Sequence, residues 1–315
     1  MATDVTTTNS FNPADFIVDS GPSLYDLAAM SEDVYKNRGG MSFSWKSERK
    51  RGKHGFAAAT YTWNSATNQL KRSSQKKPIR IVAFRGTDDD DDLIEDLFMA
   101  PSLNPQTVVK AVARLMKMYN MKSPAPAIIG NVLKALQKRG LVPKQAFNTI
   151  PPMQSKQALA YFDAANSSIA VDYVVGHSLG GALAKIVALK KGVKCYAFNA
   201  PQIRGLSGVG NQSARGRIEN VNAKLDPVST ITKFLGAGSV GKETYIGTQK
   251  PPQFIPSQSQ MFGPALASGL SSRYGQAAVD ICVVAHCALH YHSIGTLKKA
   301  ISRGRLSYVQ PISNR

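Results

Sequence analysis

Apolar and polar positions along the chain follow two alternating rhythms. Between Pro22 and Tyr35, the apolar residues Leu24, Leu27, Ala28, Met30 and Val34 recur three and four apart. That is the spacing of one helix face, and it predicts a first helix. Residues 41–64 alternate instead and are rich in aromatic and small residues. They predict strands, with the basic run Lys46–Lys53 as a loop between them. Ile79–Phe84 is a strand stopped by Arg85-Gly86-Thr87. Residues 93–140 read as helix in two pieces, interrupted at Pro101, Pro105 and Pro124–Pro126. Gln154–Ala165 predicts a further helix, Val171–Val175 an apolar strand, and Gly181–Lys190 a helix with Ala182, Leu183, Ile186, Val187 and Leu189 inward. Val193–Phe198, Arg217–Val221 and Glu243–Ile246 predict strands, and Ser293–Ser302 a last helix. The first twenty residues are a polar lead-in. Strands alternating with helices predict an α/β fold, with a mainly parallel central sheet covered by helices on both faces.

Composition narrows this picture. A chain of 315 residues that is 43% hydrophobic can bury one large core. No internal repeat is visible, so a single domain spanning 1–315 is expected. No stretch approaches the roughly 20 apolar residues of a membrane span, and the N-terminus lacks the basic-then-apolar pattern of a secretory signal. The expected compartment is the cytoplasm, or the exterior by export without a cleavable signal. Three cysteines, Cys195, Cys282 and Cys287, argue against a disulfide framework and for free thiols.

The formal charge is +19, which favours polyanions: a membrane rich in anionic lipid or, less favoured, nucleic acid. The charge is uneven. Lys46–Arg80 contains one acid, Glu48, among many bases, and Leu97–Phe162 and Ile294–Arg315 contain none. The acids collect elsewhere, notably at Asp88–Asp92. The run Lys46–Lys53 reads either as a nuclear-import or nucleic-acid patch or as a solvated hairpin loop.

Gly176-His177-Ser178-Leu179-Gly180-Gly181 fits the G-x-S-x-G elbow. A serine pushed out at a tight strand-to-helix turn has strained backbone angles, and small residues two before and two after it avoid clashes with the adjoining strand and helix. The serine then sits at a helix N-terminus, whose dipole favours developing negative charge. The N–H of Leu179 can point at an oxyanion. The flanking apolar strand and small-residue helix strengthen the match.

At this point the sequence resembles the class 3 lipase family of α/β-hydrolases. GHSLGGALA is similar to the family's nucleophile segment. Ala83–Thr87 (AFRGT) looks like its oxyanion segment, Asp92–Leu97 (DLIEDL) its acidic-apolar stretch, Ala197–Gly205 (AFNAPQIRG) its strand and Ala-Pro turn, and Leu225–Val228 (LDPV) its acid segment. The resemblance covers about residues 20–302 and is poor over about 98–140. It implies an α/β-hydrolase with a helical lid insertion, hydrolysis of lipid esters of the triacylglycerol lipase or phospholipase A type, and no cofactor. It also implies that Thr87 supplies the second oxyanion donor, through its backbone N–H and hydroxyl.

Chain order in α/β-hydrolases is Ser, then acid, then His. The acids after Ser178 are Glu219, Asp226, Glu243 and Asp280. Asp226, after a predicted strand and before Pro227-Val228, suits an orienting carboxylate; an Asp-Pro turn starter is the plainer alternative. His286, His290 and His292 are candidate bases. His292-Ser293-Ile294 resembles the family's final histidine followed by a short apolar helix, which favours His292, with His286 as the alternative. His177, beside the nucleophile, reads as structural. Cys282, His286, Cys287, His290 and His292 cluster along the chain, but their spacing fits no standard zinc pattern, and no metal is expected.

Within the insertion, Val108–Met121 carries Val109, Val112, Leu115, Met116 and Met118 with Lys110, Arg114, Lys117 and Lys122 interleaved, and an apolar piece, Ile128–Leu136, follows. A basic, Met-rich amphipathic helix suits an anionic membrane surface. A core-facing stripe with a solvated basic face is the other reading. Two further functions stay open: a non-catalytic polyanion- or membrane-binding protein on a hydrolase fold, and an esterase for soluble esters.

Overall fold

The computed structural model describes residues 22–36, 45–51, 56–63, 79–86, 105–121, 152–203, 217–234, 238–251 and 276–303. Seven strands form one sheet in chain order: β1 (Trp45–Arg51), β2 (Ala57–Trp63), β3 (Ile79–Phe84), β4 (Tyr173–His177), β5 (Lys194–Phe198), β6 (Ile218–Ala223) and β7 (Lys242–Ile246). The first two pairings are antiparallel and the remaining four, from β3 to β7, are parallel. Parallel neighbours need crossovers, and the helices between them supply covering layers.

Strand β4 is buried at every position, as its apolar sequence requires. On one face, α3 (Pro152–Ser168) and α4 (Leu179–Lys191) cover the sheet, enclosing Val82, Phe84, Val174, Phe162, Leu183 and Val187. On the other, α1 (Leu24–Asp33) and α7 (Ile294–Ser302) enclose Leu27, Met30, Ile81, Val175, Phe198 and Leu297. Ser23 and Asp26 form a reciprocal capping box that fixes the start of α1. The architecture is α/β, a mainly parallel sheet covered by helices on both faces.

Three helices gather beside this sandwich: α2 (Pro105–Met118), α5 (Pro227–Phe234) and α6 (Gln276–His292). Helix α2 packs against both of the others. Its Ala111, Val112, Leu115 and Met116 are buried, while Lys110, Arg114 and Lys117 are exposed. The apolar positions therefore form a core-facing stripe and the basic face meets solvent. No described helix is long and apolar enough to cross a membrane.

One sequence expectation needs correction. The basic run from Lys46 is not a loop over most of its length. It is strand β1, paired residue for residue with β2 from Trp45↔Trp63 to Arg51↔Ala57. Charged residues are tolerated there because β1 is the outermost strand of the described sheet, where lysine and arginine also discourage pairing with other chains. His292 is the final residue of α6, and Ser293 caps α7. Of the two pieces expected in 93–140, one is α2. Ile128–Leu136, the acidic-apolar stretch Asp92–Leu97 and Thr87 lie outside the described residues.

Lys185 on α4 is fully buried and donates to the Pro201 carbonyl at 2.8 Å. Burial lowers its pKa from 10.5 to about 8, against the opposing pull of Cys195 and Glu243. Between those values the unfolded chain holds more protons than the folded one, so stability rises as pH increases from about 8 to 10. At pH 7 the strain of holding this charge is on the order of 3 kcal/mol. Lys185→Met is expected to raise stability at pH 7 and to flatten that rise in denaturant titrations at pH 7 and 9.5. Identical pH slopes for the two proteins would contradict this.

Candidate active site

The parallel strands end on one edge of the sheet, and the candidate residues follow those ends. Ser178 follows β4 with φ 55° and ψ −129°. A non-glycine residue at positive φ costs about 1–3 kcal/mol and persists only where its surroundings enforce it. Here the Ser178 N–H donates to Phe198 O at 3.0 Å, while Gly181 N and Ala182 N donate to Ser178 O at 2.9 and 3.2 Å. The two flanking glycines are sterically required. A Cβ on Gly176 would lie 2.3 Å from the Gly180 carbonyl carbon, and one on Gly180 would lie 2.1 Å from Phe84 O. Leu179 is the first residue of α4, so its N–H has no acceptor within the helix.

Asp226 sits between β6 and α5 and is fully buried. Its Oδ2 accepts from Ser229 N at 2.7 Å, capping α5. Its Oδ1 faces Nδ1 of His292 at 2.6 Å, with both side chains buried. A carboxylate acceptor fixes the proton on Nδ1, which leaves Nε2 of the neutral ring as the basic nitrogen. That Nε2 has no hydrogen-bond partner among the described residues. The structure thus brings Asp226 to His292, at the same sheet edge as Ser178. His286 lies earlier on α6, partly buried, and does not make this contact. His290 Nε2 bonds Gln249 O at 3.0 Å. Among the described residues, no group of three His, Cys, Asp or Glu side chains is suited to hold a metal.

Several contributors escape sequence reasoning. Asn199, just after β5, has φ 45°. Its Nδ2 donates to Tyr291 O at 3.1 Å and His292 O at 2.8 Å, and its Oδ1 accepts from Ala223 N at 2.7 Å. One side chain thereby ties the end of α6 to the end of β6. The only sequence signal was an asparagine inside the turn Ala197–Gly205. Tyr119, just past α2, stacks on Tyr291 with ring centroids 5.4 Å apart, and its hydroxyl donates to Leu225 O at 3.4 Å. Burial and the nearby Asp226 push its pKa well above 10. His177 faces the His292 ring at 4.7 Å between centroids. Burial, then the electrostatic interaction with the adjacent His292, lowers its pKa from 6.5 to about 3, so it is neutral at physiological pH.

Residues 81–231 match the family model described as Lipase (class 3). That segment is of the class 3 lipase family. The match includes Thr87, Ser178, Leu179 and Asp226 and ends before His292. The match supports a lipase-type hydrolase, and the family implies a lipid substrate. Among solved structures, the crystal structure of Lip2 lipase from Yarrowia lipolytica is similar at 12% identity, over 72% of this chain and 78% of that one, with a TM-score of 0.41. No curated protein sequence matches the chain.

Proposed function

We propose that this class 3 lipase cleaves carboxylic esters of lipids through a Ser178–His292–Asp226 triad, at an anionic bilayer surface. The observation that carries the reading is the buried 2.6 Å contact between Asp226 and His292 at the sheet edge that also bears the strained Ser178 elbow. In this reading, Nε2 of His292 takes the Ser178 hydroxyl proton as Oγ attacks the ester carbonyl. Leu179 N–H and Thr87 hold the oxyanion, and one such donor contributes roughly 3 kcal/mol to the transition state. His292 then gives its proton to the leaving alcohol. Water, deprotonated by the same nitrogen, releases the fatty acid. Asp226 orients the imidazole and stabilises its cation.

Burial of Ser178, at 3% exposure, and of His292, at 1%, means that an acyl chain reaches the nucleophile only after covering atoms move. We assign that movement to α2 and the Tyr119 that follows it, which rests on the Asp226 loop. The +19 charge and the exposed Lys110, Arg114 and Lys117 support an anionic surface as the place of action.

The test is fatty-acid release from phosphatidylcholine vesicles, phosphatidylcholine–phosphatidylglycerol vesicles, a triacylglycerol emulsion and a soluble short-chain ester. Wild type should hydrolyse lipid, faster on the anionic vesicles, with the difference shrinking as added salt shortens the Debye length. Activity confined to the soluble ester would contradict the lipid assignment. Equal rates on both vesicle types at all salt concentrations would contradict the anionic surface.

A further inference from the structure

The elbow histidine, absent from the reaction steps above, stands at the centre of a chain of hydrogen bonds. Its Nε2 is 2.8 Å from His292 O. A carbonyl oxygen only accepts, so the proton must be on Nε2. The neutral ring then presents Nδ1 as an acceptor, and Tyr35 Oη lies 3.1 Å from it, closer than the 3.5 Å to the His177 carbonyl. The Tyr35 hydroxyl therefore donates to Nδ1. The same oxygen accepts from Gly86 N at 3.1 Å. The geometry gives the path these directions: Gly86 N–H to Tyr35 Oη, Tyr35 O–H to His177 Nδ1, and His177 Nε2–H to His292 O.

Each end of the path lies at the candidate chemistry. Gly86 ends the described part of β3's exit and directly precedes Thr87. The close approach demands glycine, since a Cβ there would lie 2.4 Å from Tyr35 Oη and 2.7 Å from His177 O. His292 O is the last carbonyl of α6, one of the four that a helix end leaves without intrahelical partners. It receives a second donor from Asn199 Nδ2, also at 2.8 Å. Two donors on one carbonyl hold the backbone of the residue whose side chain meets Asp226.

We propose that Tyr35 and His177 are positioning residues: a relay that locks the oxyanion segment to the backbone of His292, with Asn199 as the second clamp on the same carbonyl. The proposal rests on the triad reading above. The Tyr35 hydroxyl reinforces the Nε2–H tautomer of His177 that His292 O imposes. Without it, Nδ1 loses its donor, the ring is held by the bond to His292 O alone, and Gly86 N–H loses its acceptor. The buried network works as a unit because each member sets the direction of the next.

Tyr35→Phe keeps the ring and removes only the hydroxyl. On a soluble ester, kcat is expected to fall about tenfold with KM nearly unchanged, the effect of leaving a buried donor unsatisfied beside the reacting groups. The downfield Nδ1 proton resonance of His292 should shift or broaden in the same variant. At position 177, Gln places an N–H where Nε2 stood and should retain more activity than Phe, which donates nothing. A Tyr35→Phe protein with unaltered kcat and an unaltered His292 resonance would overturn the relay, as would equal losses in His177→Gln and His177→Phe. Failure of the triad reading is seen separately: turnover would persist in Ser178→Ala, whatever the relay variants do.

Discussion

Ser178→Ala is expected to lower ester hydrolysis by roughly a millionfold in kcat, leaving only what oxyanion donors and substrate binding provide to a water attack. The loss should come without loss of fold. Alanine accepts the same backbone bonds from Gly181 and Ala182 and donates to Phe198 O as serine does. The positive φ of 55° also remains, so the strain of the elbow is unchanged. Ser178→Gly separates strain from chemistry. Glycine occupies positive φ without a Cβ penalty, so this variant should be more stable than wild type by about 1 kcal/mol and equally inactive. Initial rates on lipid, together with thermal unfolding of all three proteins, check both statements. Turnover in Ser178→Ala at even a tenth of the wild-type rate would point to another nucleophile.

Asp226→Asn is expected to lower kcat by about 10⁴-fold. The amide keeps an oxygen that can cap α5 through Ser229 N. It loses the negative charge that stabilises the imidazolium, and its NH₂ can donate to Nδ1. That donation would move the His292 proton to Nε2 and remove the base. Asp226→Ala should match this loss in rate and add a stability cost of about 1 kcal/mol, because the Ser229 N–H then loses its cap. The pair is informative together: similar rates but different melting temperatures would assign the carboxylate both jobs. If Asp226→Asn kept most of its activity, the 2.6 Å contact would be structural only.

The parts of this fold that were legible in the sequence are those set by local physics. The elbow needs glycines at fixed offsets, and the clashes at Gly176 and Gly180 show why. Helix α1 and strand β3 carry clear three-to-four or continuous apolar patterns and fold as read, while β4 starts two residues later than read and runs into the elbow. Helix α6 was hidden for the opposite reason. QAAVDICVVAHCALHYH is apolar on nearly every side, so it offers no stripe, and its histidines and cysteines drew attention as possible ligands instead. Helix α5 is eight residues long and opens on Asp-Pro, which reads equally well as a turn. Strand β1 is almost entirely polar, and only its pairing with Ala57–Trp63 makes it a strand.

The same division runs through the site. Ser178, Asp226 and His292 could be singled out because serine elbows, Asp-Pro turns and late histidines are short signals. Asn199 and Tyr35 could not. Asn199 matters because it bridges residues 24 and 93 positions away, and Tyr35 because it meets His177 at a separation of 142. No periodicity or spacing encodes such pairs; they arise only when the sheet brings its strand ends together. His292 and His286 sit on one helix; the resemblance around Ser293-Ile294 favours His292, and the contact with Asp226 falls on that same residue.

The central claim, that Ser178 is an activated nucleophile served by His292, is tested most directly by a fluorophosphonate probe followed by mapping of the adduct by mass spectrometry. A single adduct on Ser178 is expected, absent from Ser178→Ala and strongly slowed in His292→Ala. An adduct that persists in Ser178→Ala, or forms at an undiminished rate without the imidazole, would contradict it.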